Sequence, residues 1–387
     1  MIESDLVELA ELNSGSRNLA GLEDVASWLR EKVQIPGASF ESRSLPAVSE
    51  LDDEGREVTY ETGQALLWHC RPEAERRILL AIHYDTVFAV DHPFQRCRRL
   101  STTQLQGPGV ADAKGGVLVI REALAAAEQF GLARDLGWTI LLNPDEEIGS
   151  PHSTALMQEI APGYDFGLLF EPSLPSGDLV GQRGGSGNYT VVIQGKSAHV
   201  GRHFEDGLNA IARLSWLFTQ LDAMNQREGL TVNVGFVCGG GPLNVVPDLA
   251  VGRFNVRVQS AGVAQWLDEQ LVELYDSIRA MGYQVRADGG VTSPPKPVTP
   301  AMQSLMAAIE QSSDVVGCKK PGWVTTGGVC DGNKLAAAGL ANIDSLGPIG
   351  GGLHSDQEWV DLPTISMKAK LIVSLLHRYS NRDFATN

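Results

Sequence analysis

Apolar runs of strand length alternate with longer helical segments in the first half of the chain. Four runs have the composition of buried strands: residues 65–68, 77–82, 138–142 and 166–170. Residues 114–127 form a long apolar segment that suits a helix packed on a sheet. Residues 3–33 carry helical periodicity, with Ser16 or Asn18 as candidate caps. Because strands and helices alternate, we expect an α/β fold built on a mostly parallel sheet.

The pattern changes in the middle of the chain, where segments follow in the order β-α-β-β-α-β. They are residues 188–194, 208–214, 231–237, 250–258, 263–281 and 284–287. This order predicts a ferredoxin-like α+β unit. Segments rich in proline and glycine bracket it, at residues 172–187 and 289–300. We therefore expect an α/β domain formed by residues 1–180 and 293–387, with residues 181–292 inserted as a second domain.

Composition narrows the function classes. A length of 387 residues favours two domains over one core. The net charge of −16 argues against nucleic acid as a partner, since binding it requires a basic face. No apolar run approaches the ~20 residues that span a bilayer, and the acidic N-terminus does not resemble a secretory signal. We therefore expect no membrane association and a cytoplasmic location. The five cysteines contain no CxxC pair, so neither a disulfide framework nor a cysteine-rich zinc site is indicated.

Residue types that bind metals stand where the strand-like runs end. Three runs and one glycine-rich turn lead into them, in this order: His83-Tyr84-Asp85, Glu146-Glu147, Glu171 and His354. Adjacent carboxylates such as Glu146 and Glu147 repel each other and resist burial unless solvent or a cation compensates. Open α/β sheets form their sites at the carboxyl ends of strands. We therefore expect these residues to share one pocket.

Two metal ions that share a carboxylate need histidine nitrogens and Asp or Glu oxygens. The candidates, in chain order, are His83, Asp112, Glu147, Glu171 and His354. Taken singly, His83 could be a structural histidine, Asp112 a helix N-cap and Asp85 the cap of a turn. Their joint occurrence favours a dinuclear metal site.

The motifs around these residues resemble those of the co-catalytic zinc peptidase and deacylase family. The matching segments are residues 83–87, 109–116, 146–149, 171–173 and 354–355. This family includes bacterial glutamate carboxypeptidase, aminoacylase, acetylornithine deacetylase and succinyl-diaminopimelate desuccinylase. The resemblance covers nearly the whole chain, and the branch that contains glutamate carboxypeptidase is the most similar.

The resemblance implies a role for each candidate residue. It implies two divalent ions, with zinc as the first expectation and cobalt or manganese as alternatives. The implied metal ligands are His83 and Glu171 on one ion, Glu147 and His354 on the other, and Asp112 as the bridge between them. Glu146 is then the general base, and Asp85 orients His83.

The inserted unit carries further motifs of the same family. Residues 195–201 resemble a segment whose histidine, here His199, reaches the active site of the other subunit in dimeric relatives and stabilises the oxyanion. The resemblance thus implies a dimerisation (lid) domain and a homodimer. Asn244 and Arg257 resemble residues that bind the substrate carboxylate. An exposed loop histidine without a function and a surface ion pair of Arg257 are the structural alternatives.

One motif departs from the family pattern. Residues 327–333 resemble a turn of glutamate carboxypeptidase-like members, but Cys330 stands where Ser or Thr is usual. A thiol donates weaker hydrogen bonds than a hydroxyl, so the role of this position is open. No base is evident beside Cys330, which argues against a catalytic thiol.

The leading functional interpretation is a zinc-dependent amidohydrolase that acts next to a free carboxylate. The resemblance favours a carboxypeptidase that releases a C-terminal amino acid such as glutamate from a small peptide. The alternatives are an N-acyl-amino-acid deacylase of the same fold and an inactive dimeric binding protein. A serine hydrolase is disfavoured because residues 184–188 lack the last glycine of a nucleophile elbow, and no P-loop or GxGxxG motif occurs.

Overall fold

A computed structural model describes residues 2–385 of the chain. Its helices are α1 (Ile2–Glu11), α2 (Leu19–Lys32), α3 (Lys114–Gln129), α4 (Thr154–Ile160), α5 (Val200–His203), α6 (Ala210–Ala223), α7 (Ala261–Ala280), α8 (Pro300–Val316), α9 (Asp331–Ala337) and α10 (Pro363–Ser380). Its strands are β1 (Ser39–Arg43), β2 (Val48–Leu51), β3 (Glu57–Tyr60), β4 (Ala65–Cys70), β5 (Arg76–His83), β6 (Arg98–Arg99), β7 (Gln104–Gln106), β8 (Leu136–Asn143), β9 (Phe166–Leu169), β10 (Leu179–Arg183), β11 (Gly185–Gln194), β12 (Leu230–Gly239), β13 (Leu249–Val258), β14 (Gln284–Ser293), β15 (Trp323–Thr326), β16 (Asn342–Ile343), β17 (Gly350–Gly351) and β18 (Trp359–Asp361).

The central sheet has six strands in the order β1-β4-β8-β5-β9-β16. The pairs from β8 through β5 and β9 to β16 are parallel, whereas β1 and β4 pair antiparallel. Side chains of β5 alternate between two cores: Leu80 packs in the core that contains α3 and α10, and Leu79 in the core that contains α4 and α9. Because helices cover both faces, the inner strands β8, β5 and β9 are mostly apolar and buried, whereas the edge strand β1 is polar and largely exposed. The mostly parallel α/β sheet expected from the sequence is confirmed.

The middle of the chain forms a separate four-stranded antiparallel sheet in the order β12-β13-β11-β14. Helices α6 and α7 pack on one face of it, where Val191, Phe254 and Leu271 belong to one core. The β-α-β-β-α-β order and this strand arrangement are ferredoxin-like, as expected. That residues 181–292 fold as a domain with those limits stays a prediction.

The helical segment expected at residues 3–33 is divided between α1 and α2. Asn18 caps α2 with a side-chain oxygen that accepts a hydrogen bond from the backbone N–H of Gly21 at 3.2 Å. Ser16, the other candidate cap, instead donates to the carboxylate of Asp85 at 2.6 Å. Among the helices of residues 2–385, none combines the length and hydropathy that crossing a bilayer requires.

The two connections between the α/β unit and the inserted sheet are paired with each other. The backbones of Arg183 and Lys296 exchange hydrogen bonds of 3.1 and 2.9 Å. Both side chains also bind the buried carboxylate of Asp344, at 2.8 Å from Arg183 and 2.6 Å from Lys296. The junction is therefore braced by backbone and side-chain contacts together.

A hairpin formed by β2 and β3 makes a second, non-covalent contact with the inserted sheet. Leu51 of the hairpin is buried with Val192 and Val251 of the sheet. The guanidinium of Arg253 binds the Asp53 carboxylate at 2.7 Å and the Leu51 carbonyl at 3.1 Å. The sequence analysis did not predict this hairpin, because its strands alternate exposed and half-buried side chains and carry no long apolar run.

We predict that a disulfide can join the tip of this hairpin to the inserted sheet. A Cβ atom at Gly55 would lie 3.5 Å from the Cβ of Val192, which is within the disulfide range of about 3.5–4.5 Å. The double variant Gly55→Cys/Val192→Cys should therefore give a cross-linked peptide on mild oxidation, detected by mass spectrometry.

The single variants Gly55→Cys and Val192→Cys are the matched controls. They account for the strain of a side chain at the left-handed backbone of Gly55 (φ +73°) and for the native thiols, of which Cys238 is exposed. A folded double variant that keeps both new thiols free after oxidation would contradict the docked position of the hairpin.

Candidate metal centre

The candidate ligands meet because three parallel neighbours end at the same edge of the central sheet. His83 is the last residue of β5, and Glu171 follows the end of β9 by two positions. Strand β8 ends at Asn143 and leads into a 3₁₀ turn, Glu146–Ile148, that carries the Glu pair. Since β5 lies between β8 and β9, these side chains converge at the carboxyl edge, as expected from the sequence.

Asp112 lies between two histidines. Its Oδ1 is 3.2 Å from Nε2 of His83, and its Oδ2 is 3.3 Å from Nε2 of His354. It is not the N-cap of α3, because that position is Ala113 and no side-chain capping bond is present there. One carboxylate oxygen thus faces each histidine, which is the arrangement that a bridging ligand requires.

The remaining candidates complete one group on each side of Asp112. Glu171 lies 3.6 Å from His83, and Glu147 lies 3.2 Å from His354, measured from carboxylate oxygen to Nε2. Ligand atoms of His83, Asp112 and Glu147 all lie within 4.8 Å of one another. The structure therefore brings together all five residues in the pairs that the sequence analysis expected. Their role as metal ligands stays a prediction.

The protonation equilibria of this group are dominated by buried negative charge. Burial raises the pKa of Glu146 well above its usual range and that of Glu147 to about 7, and it also raises the pKa of Glu171. Hydrogen bonds to Asp112 and Glu147 raise the pKa of His354 to about 11. A divalent cation among these side chains would compensate the same charge and displace the protons. The donor set of imidazoles and carboxylates fits such an ion.

Asp85 holds the Glu146–Glu147 turn in place. Its two oxygens accept hydrogen bonds from the backbone N–H groups of Glu146 and Glu147, each at 3.1 Å. The same carboxylate lies 3.2 Å from Nδ1 of His83 and accepts the Ser16 hydroxyl. Asp85 thus contacts the imidazole that it was expected to orient, and it also fixes the backbone of the Glu pair.

Glu358 is a residue of the site that the sequence analysis missed. It is buried, and its carboxylate accepts hydrogen bonds from the backbone N–H groups of Gly109, Ala111 and Asp112 at 2.9–3.1 Å. Burial raises its pKa to about 7. Glu358 therefore fixes the loop that presents Asp112. The backbone groups that Glu358 binds lie far away along the chain, so the sequence indicates a role for it only through its position four residues after the candidate ligand His354.

The structure places His199 and Asn244 together, but on two neighbouring exposed loops of the inserted unit. His199 is the N-cap of α5, and its Nδ1 accepts a hydrogen bond from the N–H of Gly201 at 3.1 Å. The backbone of Asn244 accepts a bond from Val200 at 3.0 Å. Within residues 2–385, the side chain of His199 makes hydrogen bonds only within its own loop. These contacts do not bring His199 or Asn244 to the candidate metal ligands of the same chain.

Arg257 also lies on the inserted sheet and is exposed. Its Nε donates to the Asn255 side chain at 3.1 Å, and its Nη1 donates to the Gly327 carbonyl at 3.3 Å. The second bond connects the inserted sheet to the loop before α9. The surface ion pair that was the structural alternative for Arg257 does not occur among the described residues.

Cys330 performs the turn role of its motif. Its sulfur accepts a hydrogen bond from the N–H of Gly332 at 3.4 Å, while the Asn333 side chain accepts from the N–H of Cys330 at 3.1 Å. The two bonds form a reciprocal cap at the start of α9. Burial raises the pKa of the Cys330 thiol well above its usual range, which argues against a nucleophilic thiolate.

Comparisons with known proteins agree with this geometry. The sequence profile of peptidase family M20/M25/M40 matches residues 79–378. The chain is 30% identical to carboxypeptidase G2 from Pseudomonas sp. (strain RS-16), over 96% of this chain and 88% of that protein. It is 26% identical to succinyl-diaminopimelate desuccinylase from Gluconobacter oxydans (strain 621H), over 71% and 74% of the two chains.

The fold is similar to that of a solved relative. The crystal structure of aminopeptidase PepT from Bacillus cereus matches with a TM-score of 0.72 at 18% sequence identity, covering 97% of both chains. The chain therefore belongs to peptidase family M20/M25/M40, and it is a metal-dependent hydrolase.

Proposed function

We propose that this protein is a dinuclear zinc carboxypeptidase that cleaves the amide bond next to a free carboxylate and releases a C-terminal amino acid such as glutamate. The observation that carries the proposal is the Asp112 carboxylate, which turns one oxygen towards His83 and the other towards His354. The 30% identity to carboxypeptidase G2 over nearly the whole chain supports the choice of a carboxypeptidase.

The side chains divide into ligands and an acid–base group. His83 and Glu171 would hold one ion, Glu147 and His354 the other, and Asp112 both. When bound, the ions would lower the pKa of a water molecule and polarise the scissile carbonyl. Glu146 would accept the proton of the attacking water and donate it to the leaving nitrogen. The bond from its N–H to Asp85 fixes its position.

The substrate carboxylate would bind on the inserted sheet. A guanidinium such as that of Arg257 can bind a carboxylate through two parallel hydrogen bonds. Arg257 is exposed, and its contact with Gly327 directs it towards the junction between the two units. Asn244 lies beside His199 near the other end of the inserted sheet from Arg257, so it would add an amide donor from a second copy of the chain. When the terminal carboxylate of a peptide substrate binds here, the bond presented for cleavage is the last one of the peptide. This favours exopeptidase over endopeptidase action.

A second copy of the chain would complete the site with His199. Apolar side chains surround His199 and Asn244 and are exposed: Val200, Phe204, Leu243 and Val245, of which Leu243 is fully exposed. Strand β12 is an edge of the inserted sheet and could pair with a partner. A homodimer formed through the inserted unit would cover these residues. It would also bring His199 to the substrate's carbonyl oxygen in the partner subunit's active site, where the imidazole would act as an oxyanion donor.

An N-acyl-amino-acid deacylase is the second candidate. The 26% identity to a succinyl-diaminopimelate desuccinylase supports it, and Arg257 would serve either substrate class, since both present a carboxylate. An inactive binding protein is disfavoured, because Glu146 and every candidate ligand are present.

We predict release of free amine from peptides or N-acyl amino acids that end in a free carboxylate, with none from the matching C-terminal amides. The test incubates zinc-loaded protein with paired acids and amides and measures amine release. Glu146→Gln is the matched control: it should lower kcat by roughly 10²–10⁴-fold, because a positioned base is lost, while both ions stay bound. Cleavage restricted to short N-acyl amino acids would select the deacylase. Equal cleavage of acids and amides, or no cleavage, would refute the proposal.

We also predict that the active site is shared between subunits. His199→Ala should lower kcat by about 10²-fold or more without loss of metal, as expected when an oxyanion donor is removed. Mixing Glu146→Ala subunits with an excess of His199→Ala subunits should restore activity, because each hybrid dimer contains one site with both groups intact. Replacing the Glu146→Ala subunits by the double variant Glu146→Ala/His199→Ala should restore none. Failure to recover activity despite hybrid dimers verified by native mass spectrometry would contradict sharing.

A further inference from the structure

A buried carboxylate ties together the two ends of the loop that carries the Glu pair. This loop, residues 144–149, begins after Asn143 at the end of β8 and leads into Ser150. Asp331 accepts the Asn143 side-chain amide at Oδ2, 2.7 Å away, and the Ser150 hydroxyl at Oδ1. Asn143, Ser150 and Asp331 are all buried. One side chain from a distant helix therefore spans the base of the loop.

Lys334 balances the charge of Asp331. Its Nζ lies 3.3 Å from Oδ1 of Asp331, one helical turn away on α9, and 3.4 Å from the Ser293 hydroxyl. Lys334 is itself buried. The carboxylate thus has three donors, two from the ends of the loop and one from a cation. Such a group keeps its position because each of its oxygens is satisfied.

The turn that bears Asp331 is itself anchored. The neighbouring Asn333 donates to the carbonyls of Gly184 at 2.8 Å and Pro294 at 2.7 Å, one on each connection to the inserted sheet. The reciprocal cap made by Cys330 and Asn333 fixes the same turn. Asp331 therefore holds the loop against a rigid point of the junction, whereas Asp85, just after the neighbouring strand β5, holds the middle of the loop.

From these contacts we propose that Asp331, with Lys334 as its counter-charge, is a positioning residue that sets the location of Glu146 and Glu147 relative to His83 and Asp112. It does so by fixing both ends of their loop. This inference rests on the proposed roles of Glu146 and Glu147. A displacement of about 1 Å at reacting groups can cost 10²-fold in rate, so small movements of the loop are sufficient to matter.

The first test separates positioning from the cost of an unpaired buried charge. Asp331→Leu should lower both Tm and kcat, because Lys334 loses its partner and the side chains of Asn143 and Ser150 lose their acceptor. Asp331→Leu/Lys334→Met removes the unpaired cation and still lacks the acceptor, so Tm should recover in large part. We expect kcat to remain about 10–100-fold below wild type, with KM within about twofold and two ions still bound. Recovery of kcat together with Tm would mean that Asp331 has only a structural role, and it would overturn the inference.

The second test uses a milder change that keeps the charge pair. Ser150→Ala removes one end of the tie and retains a Cβ at the left-handed backbone position (φ 51°). We expect kcat to fall about 10-fold with Tm nearly unchanged. Ser312→Ala is the matched control, since Ser312 is a buried serine whose hydroxyl lacks a partner among the described residues. Full activity of Ser150→Ala, or an equal loss in Ser312→Ala, would contradict the tie.

A third measurement does not depend on catalysis. Hydrogen exchange followed by mass spectrometry should show faster exchange in peptides covering residues 144–150 for Asp331→Leu/Lys334→Met and Ser150→Ala. Peptides from α6 and α7 should be unchanged. If wild type lacks activity on every substrate, the proposed function fails, while the exchange data still decide whether Asp331 holds the loop. Unchanged exchange at residues 144–150 would overturn the inference.

Discussion

The concentration of buried negative charge around Asp112 is the constraint on which the rest of the site depends. Among the described residues, Asp112, Glu147 and Glu171 lie within contact distance of two imidazoles, and Glu146 is half-buried beside them. Burial penalises each charge, and the carboxylates raise one another's pKa. Protons alone can relieve part of this repulsion, but two dications relieve it and supply the chemistry of amide hydrolysis. The site is therefore best explained as a preformed receptor for metal.

The fold stabilises this arrangement by placing further carboxylates behind it, each satisfied by hydrogen-bond donors. Asp85 accepts the backbone N–H groups of the Glu pair, and Glu358 accepts those of the loop that presents Asp112. Asp331 accepts side chains at both ends of the Glu146–Glu147 loop. Backbone and side-chain donors allow these groups to be buried without a metal of their own. Residues that orient ligands in this way commonly affect metal affinity or activity by 10–100-fold when they are changed.

The sequence predicted the residues whose position follows from local pattern. His83 and Glu171 directly follow apolar runs that the alternating pattern predicted to be strands of a mostly parallel sheet, so their convergence followed from parallel pairing. The alternating segments of the inserted unit likewise predicted its strands. Glu358 and Asp331 were not assigned roles, because their contacts span 246 to 249 residues and 181 to 188 residues of chain. The sequence left Asn18 and Ser16 as alternative caps of α2 for the same reason, since Asp85, the partner of Ser16, lies 69 residues away. The docked hairpin and the reciprocal cap at Cys330 also depend on tertiary contacts that periodicity does not reveal.

Anomalous diffraction from crystals of the zinc-loaded protein tests the central claim most directly. If Asp112 bridges two ions, the map should show two zinc peaks about 3.5–4 Å apart, one on each side of its carboxylate. One ion should lie about 2.0–2.2 Å from His83 and Glu171, and the other at the same distance from His354 and Glu147. A single peak at full zinc loading, or two peaks of which either lies away from Asp112, would contradict it.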